Sequence, residues 1–405
     1  MAATLPVTGN TEHTRPENRA FYPALDGLRA VAIFAVFWVH YASLPRLSWW
    51  GWTGVDLFFV LSGFLITGIL YDTRNDIHRA RNFYIRRSLR IFPLYFAFWA
   101  GVLLLAAFHQ IAWRSGYWAW VFYAGNFLAP HALRAGLDPE FYTSLLFKQR
   151  ADGFAPSIIV SHFWSLCVEE HFYLLWPVVI WWLRDRRRII TACIVGIVLS
   201  LLCRVALEET LPPSYLNIEV VYRFTPCRVD ELLMGSLLAM LARGPSGLRE
   251  ISSKLVYSLA AFSLLVIAVS AVHWNQWRLL DLNQFWLNTY GFTLVGVLAT
   301  AAVYASLTQR LVSSILSWRP LRELGRVSYG FYVLHPLGMG LIDRRFFHIH
   351  TRPQILLANI SLFFTTWLLA WLSFHLFESP FLDLKERWTV RGVISPPPVT
   401  LGSSS

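Results

Sequence analysis

The stretch Leu25-Asp26-Gly27-Leu28-Arg29-Ala30-Val31-Ala32-Ile33-Phe34-Ala35-Val36-Phe37-Trp38-Val39-His40-Tyr41-Ala42-Ser43-Leu44 decides what kind of protein this is. It is almost wholly apolar over 25–44, and about 20 such residues, rising about 1.5 Å each, carry a helix across a hydrocarbon core of about 30 Å. Comparable runs recur at 54–71, 91–109, 117–130, 167–183, 188–206, 228–242, 255–273, 285–306, 327–342 and 355–377. Only 15% of the 405 residues are charged and 56% are hydrophobic, whereas a soluble domain carries about 25% charged residues. The expected fold is therefore all-α, a polytopic membrane bundle of about ten transmembrane helices.

Charge sets the expected orientation. The net charge of +11 could suggest nucleic acid, but the basic residues form short clusters between apolar runs rather than one stripe. These clusters are Arg74 to Arg90, Arg184 to Arg188, Arg243 to Lys254 and Arg310 to Arg326, each expected on the cytoplasmic side. All four fall on one side if 117–130 does not cross, which also leaves both termini cytoplasmic and puts Arg344, Arg345 and Arg352 outside. The expected organisation is a polar tail over 1–20, a membrane domain over 21–385 and a Pro/Ser-rich tail over 386–405. With no apolar core or cleavage site ahead of Phe21, no removable signal peptide is expected. Trp49, Trp50, Trp52, Trp113, Trp118 and Trp120 read as interfacial anchors, and the four cysteines, lacking ligand spacing, as buried apolar residues rather than metal ligands.

Ionisable residues inside spans are costly and so mark function. Arg29 and His40, 11 residues apart, share a helix face about 16 Å apart along its axis. A second cluster, Ser161-His162-Phe163-Trp164-Ser165-Leu166-Cys167-Val168-Glu169-Glu170-His171, enters the bilayer from the same side as His40. A general base His40 oriented by Glu169 or Glu170 is one reading; solvated carboxylates at a helix start are the other. Asp26, Asp56, Ser62, Asp230 and His335 are further candidates for contact with substrate, although Asp230 with Arg228 also suits a structural ion pair. Arg86, Arg87 and Arg90 have the density that suits phosphate, and also that of an ordinary topology signal.

These stretches resemble the integral membrane acyltransferase 3 family. The likeness is carried by Ala24-Leu25-Asp26-Gly27-Leu28-Arg29 with His40, Gly54-Val55-Asp56-Leu57-Phe58-Phe59 through Phe64, Tyr84-Ile85-Arg86-Arg87-Ser88-Leu89-Arg90, Phe163-Trp164-Ser165-Leu166 through Tyr173, and Ser328-Tyr329-Gly330-Phe331-Tyr332-Val333-Leu334-His335-Pro336. The resemblance implies a ten-helix domain, acyl-CoA (acetyl-CoA) as donor, and acceptors that are envelope sugars or hydroxyls of secondary metabolites. It gives Arg29 and His40 essential roles on the first helix, and Arg86, Arg87 and Arg90 a basic motif before the third. His171 stands where the family more often has Gln, and a stand-alone member without a fused periplasmic esterase-like domain is expected.

The reading that follows is an O-acyltransferase of a bacterial inner membrane. Acyl-CoA phosphates would meet Arg29, Arg86, Arg87 and Arg90, and the acceptor would be a carbohydrate or lipid-linked glycan at the outer side. Besides donor and acceptor, membrane lipid is the expected partner; neither metal nor nucleic acid is expected. A proton-coupled transporter of an envelope precursor would use the same buried Arg, His and Glu.

Overall fold

The computed structural model describes residues 22–41, 50–111, 113–128, 144–146, 157–211, 220–273, 285–341 and 351–390. Helix α1 (Pro23–Tyr41) is followed by α2 (Thr53–Asp72) and by α3 (Arg79–Ala107). A short helix α4 (Tyr117–Val121) and a two-stranded antiparallel ribbon, β1 (Ser144–Leu146) with β2 (Ser157–Ile159), lead to α5 (Trp164–Leu183) and α6 (Arg186–Thr210). Then come α7 (Thr225–Leu241), α8 (Ser253–His273), α9 (Phe292–Thr308), and the short α10 (Arg310–Leu316) and α11 (Arg319–Arg326). The order ends with α12 (Ser328–Leu341), α13 (Arg352–Leu372) and α14 (Ser379–Trp388).

Eight helices among the described residues are long and apolar enough to cross a membrane. Two more, α7 and α12, complete the expected set of about ten but are shorter, at 17 and 14 residues. Of segment 117–130, the described residues 117–128 hold a five-residue helix and a turn over Gly125–Phe127, each too short to cross. Arg344, Arg345, Trp49 and the extreme tails lie outside the described residues. Asn82 meets the backbone of Val390 at 2.9 and 3.0 Å, which joins the start of α3 to the end of α14.

Local chemistry sets where helices begin and meet. Asp185 caps α6 by accepting from the Arg188 amide at 3.0 Å, and Arg184 adopts φ 54° to reverse the chain after α5. Thr351 and Gln354 form a capping box that opens α13. Helices α2 and α7 approach through two reciprocal glycines: a Cβ on Gly63 would stand 1.8 Å from the Leu232 carbonyl oxygen, and one on Gly235 2.0 Å from that of Val60. Lipid supplies little drive for apolar helices to associate, so backbone contact between small residues has to do so.

Outward-facing side chains are apolar, as lipid requires: Ile194, Val198 and Leu202 on α6, Leu264 and Val272 on α8, Leu357 and Phe364 on α13 are all exposed. Between the helices, charges pair with one another. Arg228 of α7 lies 2.5 Å from Asp56 of α2 and 3.1 Å from Glu231, while Arg204 of α6 reaches Asp230 with both terminal nitrogens at 2.9 and 2.8 Å. All five side chains are wholly buried. Two of the expected anchors are instead core residues: Trp52, at the start of α2, packs on Tyr222 and Phe292, and Trp120, on α4, packs against Gly125. Trp50 and Trp118 are exposed. Cys203 and Cys227 bring their sulfurs within 3.8 Å, and the other two cysteines are buried.

The glycine contact gives a test with its own control. Gly63→Ala forces α2 and α7 apart and should lower stability by about 1–3 kcal/mol, the range for overpacking. Gly101→Ala, with nothing within 4 Å of the added Cβ, should leave stability unchanged or raised. Melting of the two purified variants in one detergent, followed by the monodisperse fraction on gel filtration, checks both.

Candidate active site

The bundle has two chemically distinct ends. The linkers that follow α2, α5, α7 and α9 and those that flank α11 meet at one end, tied by Arg243 to Asp72 at 2.7 Å and by Arg186 to the Met240 carbonyl at 2.8 Å. Here the start of α1 is clamped against α10 and α11. A Cβ on Gly27 would fall 2.0 Å from the Leu316 carbonyl oxygen, and one on Gly325 1.8 Å from that of Asp26. This contact places a cavity of about 430 Å³ between α1, α3, α11 and the end of α13, lined by Asp26, Arg29, Arg90, Arg322, Arg326 and Phe374. Four guanidinium groups face one lining carboxylate. Arg29 is paired with Asp26 at 2.9 Å and Arg326 with Glu323 at 3.1 Å, whereas Arg90 makes no ion pair among the described residues. Phe374 reaches the cavity from a π-helical turn, Ser373–Glu378, a distortion frequent at functional sites.

Halfway along the bundle, Arg87 extends inward from α3. Its guanidinium lies 3.7 Å from the centre of the Tyr173 ring and 4.0 Å from Glu169. Ser62 and Tyr173 hydrogen-bond each other and stand beside Glu169. Glu170, the next residue of α5, leaves Oε1 buried without a hydrogen-bond partner among the described residues.

At the opposite end three imidazoles gather. The rings of His40 and His335 are 4.9 Å apart, and those of His162 and His335 5.3 Å. Two tyrosines tie them together: Tyr41 donates to the His335 carbonyl, and Tyr332 to that of His162 at 2.5 Å. Each imidazole meets a backbone carbonyl through Nδ1: His40 that of Val36 at 2.7 Å, His335 that of Tyr332 at 2.6 Å, His162 that of Ile159 at 3.1 Å. Pro336 explains one of these, since it has no N–H for the carbonyl four residues back, which is that of Tyr332.

Several sequence expectations are redrawn. Glu169 and Glu170 make no hydrogen bond to His40 among the described residues. They lie a turn or more into α5, beside Arg87, and His162, just before α5, takes the place next to the histidine pair. The basic run does not act as one clamp: Arg90 lines the cavity, Arg87 turns to Glu169, and Arg86 reaches Thr389 at 3.4 Å. Successive residues of a helix point about 100° apart, so a dense run cannot present every member to one ligand. Asp56 and Asp230 belong to the buried ion network, beside Arg228 and Arg204, rather than to the cavity or the imidazole cluster. Ser62 and His335 do stand with other candidates. Sequence reading missed His162, Arg322, Arg326 and Phe374; the i,i+4 spacing of Arg322 and Arg326 and the closeness of His162 to the Glu motif were the available signals.

The bundle thus sets a basic cavity at one end and a cluster of three histidines at the other. The family model described as an acyltransferase domain matches residues 22–375, and the chain belongs to this acyltransferase 3 family of multi-pass membrane proteins. YrhL of Bacillus subtilis is 30% identical over 423 residues, covering 94% of this chain and 60% of that protein. The peptidoglycan O-acetyltransferase OatA of Listeria monocytogenes is 28% identical over 386 residues, covering 91% and 57%. The O-acetyltransferase OatA of Staphylococcus aureus is 28% identical over 376 residues, covering 89% and 57%. The chain thus spans about three fifths of the length of these relatives. No solved structure gives a significant match.

Arg87 and Glu169 should be coupled. Arg87→Ala strands a largely buried carboxylate and should lower the melting temperature, and adding Glu169→Gln should recover part of the loss. A thermal double-mutant cycle reads this; simple additivity would show that the two do not interact.

Proposed function

We propose that this protein is an O-acyltransferase that moves an acetyl group from acetyl-CoA to a hydroxyl of an envelope glycan across the bilayer. One observation supports the reading: between apolar helices stand a four-arginine cavity at one end, the Arg87–Glu169 pair, and His40 beside His335 at the other end, in a chain of the acyltransferase 3 family. The names of the OatA relatives supply the acetyl group and a glycan acceptor. Clustering of the basic linkers at one end supports an orientation with that end, and both termini, in the cytoplasm of a bacterial plasma membrane.

In this mechanism Arg90 and Arg322, with Arg29 and Arg326, hold the phosphates of the donor by charge-assisted hydrogen bonds. Phe374 offers the adenine a face to stack on. The pantetheine arm runs inward along α1, and its amide N–H groups find Glu170 Oε1 as acceptor. Arg87 and Glu169, locked by Tyr173 and Ser62, form the polar wall it passes. The thioester then meets His40, about 16 Å from Arg29 along the helix. His40 removes the proton of the acceptor hydroxyl as the oxygen attacks the thioester carbonyl, then returns it to the sulfur as the C–S bond breaks, and the thiol leaves toward the basic end.

The assay is purified protein in detergent with radiolabelled acetyl-CoA and a soluble peptidoglycan fragment, scored by labelled glycan and free CoA. Release of CoA into an O-acetyl product is expected; a transporter would release none, and that result would overturn the reading. In this assay Arg90→Ala and Arg322→Ala should each raise the KM for acetyl-CoA about tenfold, with kcat changed far less, because a contact to the non-reacting part of the donor is lost. A collapsed kcat at unchanged KM would remove the cavity from donor binding. His40→Ala should lower kcat by about 10²–10⁴-fold, the range for a general base. A folded variant with near-normal turnover would move the base to another histidine.

A further inference from the structure

His40 is not alone, and its neighbours show a shared pattern. A backbone carbonyl can only accept, so the contacts at Val36, Tyr332 and Ile159 place the ring hydrogen of all three imidazoles on Nδ1. Each Nε2 is then the nitrogen that carries a lone pair. For His335 and His162 that Nε2 is buried and has no hydrogen-bond partner among the described residues. His335 is 0% exposed and His162 5%. Leaving buried acceptors without donors costs free energy, and here two of them stand around one half-buried histidine.

We propose that His335, backed by His162, is a positioning residue for His40: its Nε2 accepts a hydrogen bond from His40 once His40 has taken the acceptor's proton. The inference rests on the O-acyl transfer proposed above. The acceptor O–H gives its proton to His40 Nε2 as the new C–O bond forms at the thioester carbonyl. The C–S bond breaks, and the same proton passes from His40 to the departing sulfur, so hydroxyl and thioester become ester and thiol with nothing else consumed. Between these events His40 is a cation in an apolar bundle, where an unpaired charge is expensive. Rings 4.9 Å apart need only a small swing to share that proton, and His162, 5.3 Å beyond, extends the same arrangement.

The scaffold favours this use. Tyr41 and Tyr332 bind the carbonyls of His335 and His162, so the rings are held through their own backbones and not through Nε2. Among the described residues the titratable and charged groups facing the trio are Tyr41 from α1, Tyr332 from α12, and Arg223 ahead of α7, with Ser165 of α5 bonded to Tyr332 at 2.5 Å. No carboxylate hydrogen-bonds to the trio among the described residues. Among the described residues a neutral imidazole is thus the acceptor nearest to hand for a protonated His40.

The test uses the full-length protein and two substitutions at one site. His335→Phe keeps a planar ring without a lone pair; His335→Gln keeps an acceptor. Wild-type, H335F and H335Q proteins labelled with ¹⁵N at the histidine rings are titrated by NMR in detergent, His40 being assigned by its loss in H40Q. The expected result is that the His40 midpoint in H335F falls by about one pH unit or more, the tenfold or larger change that follows loss of a hydrogen bond to a charged group. The acidic limb of kcat/KM for the acceptor should move down with it and its plateau should drop about 10–100-fold, while H335Q restores both at least in part. An unmoved midpoint in H335F, or equal shifts in H335F and H335Q, overturns the proposal and leaves His335 a packing residue. If H335F does not fold, the wild-type spectrum decides: His335 protonated on Nε2 at neutral pH overturns it, and the Nδ1-H form with a His40 midpoint lowered in H162F supports it. Wild-type protein without transferase activity would instead sink the O-acyl transfer reading, and the titration would still answer for the histidines.

Discussion

Arg228, held 2.5 Å from Asp56 and 3.1 Å from Glu231 with no exposure to solvent, states the constraint under which the rest of the molecule is built. A charge in hydrocarbon has to find its partner inside the protein. Arg228 of α7 and Arg204 of α6 take their carboxylates from α2 and α7, so satisfying them fixes how three helices stand relative to each other. The glycine contacts between α2 and α7 act on the same pair, letting the backbones come close enough for short aspartate side chains to reach. Packing and electrostatics here are one requirement seen from two sides.

With that frame rigid, the flanking helices carry the residues of the proposed site. Helix α1 spans from Asp26 and Arg29 to His40, and it is gripped at both ends, by α10 and α11 through Gly27 and Gly325, and at His335 through Tyr41. A donor bound at the basic cavity and an acceptor arriving at the histidines would therefore be set against one rigid ruler. This suits a reaction whose rate depends on bringing two reactants to a fixed separation in a site that excludes water. The π-helical turn that carries Phe374 and the one at Leu287–Gly291, whose Thr289 carbonyl takes Arg204 at 2.8 Å, are irregularities placed where a backbone or side chain has to be offered to the interior.

The sequence by itself determined the class of fold, because only helices satisfy their backbone polar groups within lipid and length alone decides which runs can cross. It also set the expectation that 117–130 is no span, from the side on which the basic linkers would fall, and over 117–128 the structure has a five-residue helix and a short turn. Arg29 and His40 were legible as a pair because helical periodicity is local. What only the tertiary structure decided are the partners across helices. Glu169 looked available to His40 and belongs with Arg87; Arg86, Arg87 and Arg90 looked like one clamp and diverge; Arg322 and Arg326, read as topology signals, line the cavity with Arg90. His162 joined the histidines through contacts with residues about 170 positions away in the chain. Periodicity gives the face of one helix on which a residue lies, but the rotation and depth of one helix against another come from close glycine contacts and buried ion pairs, which couple distant parts of the chain and leave no local pattern to read.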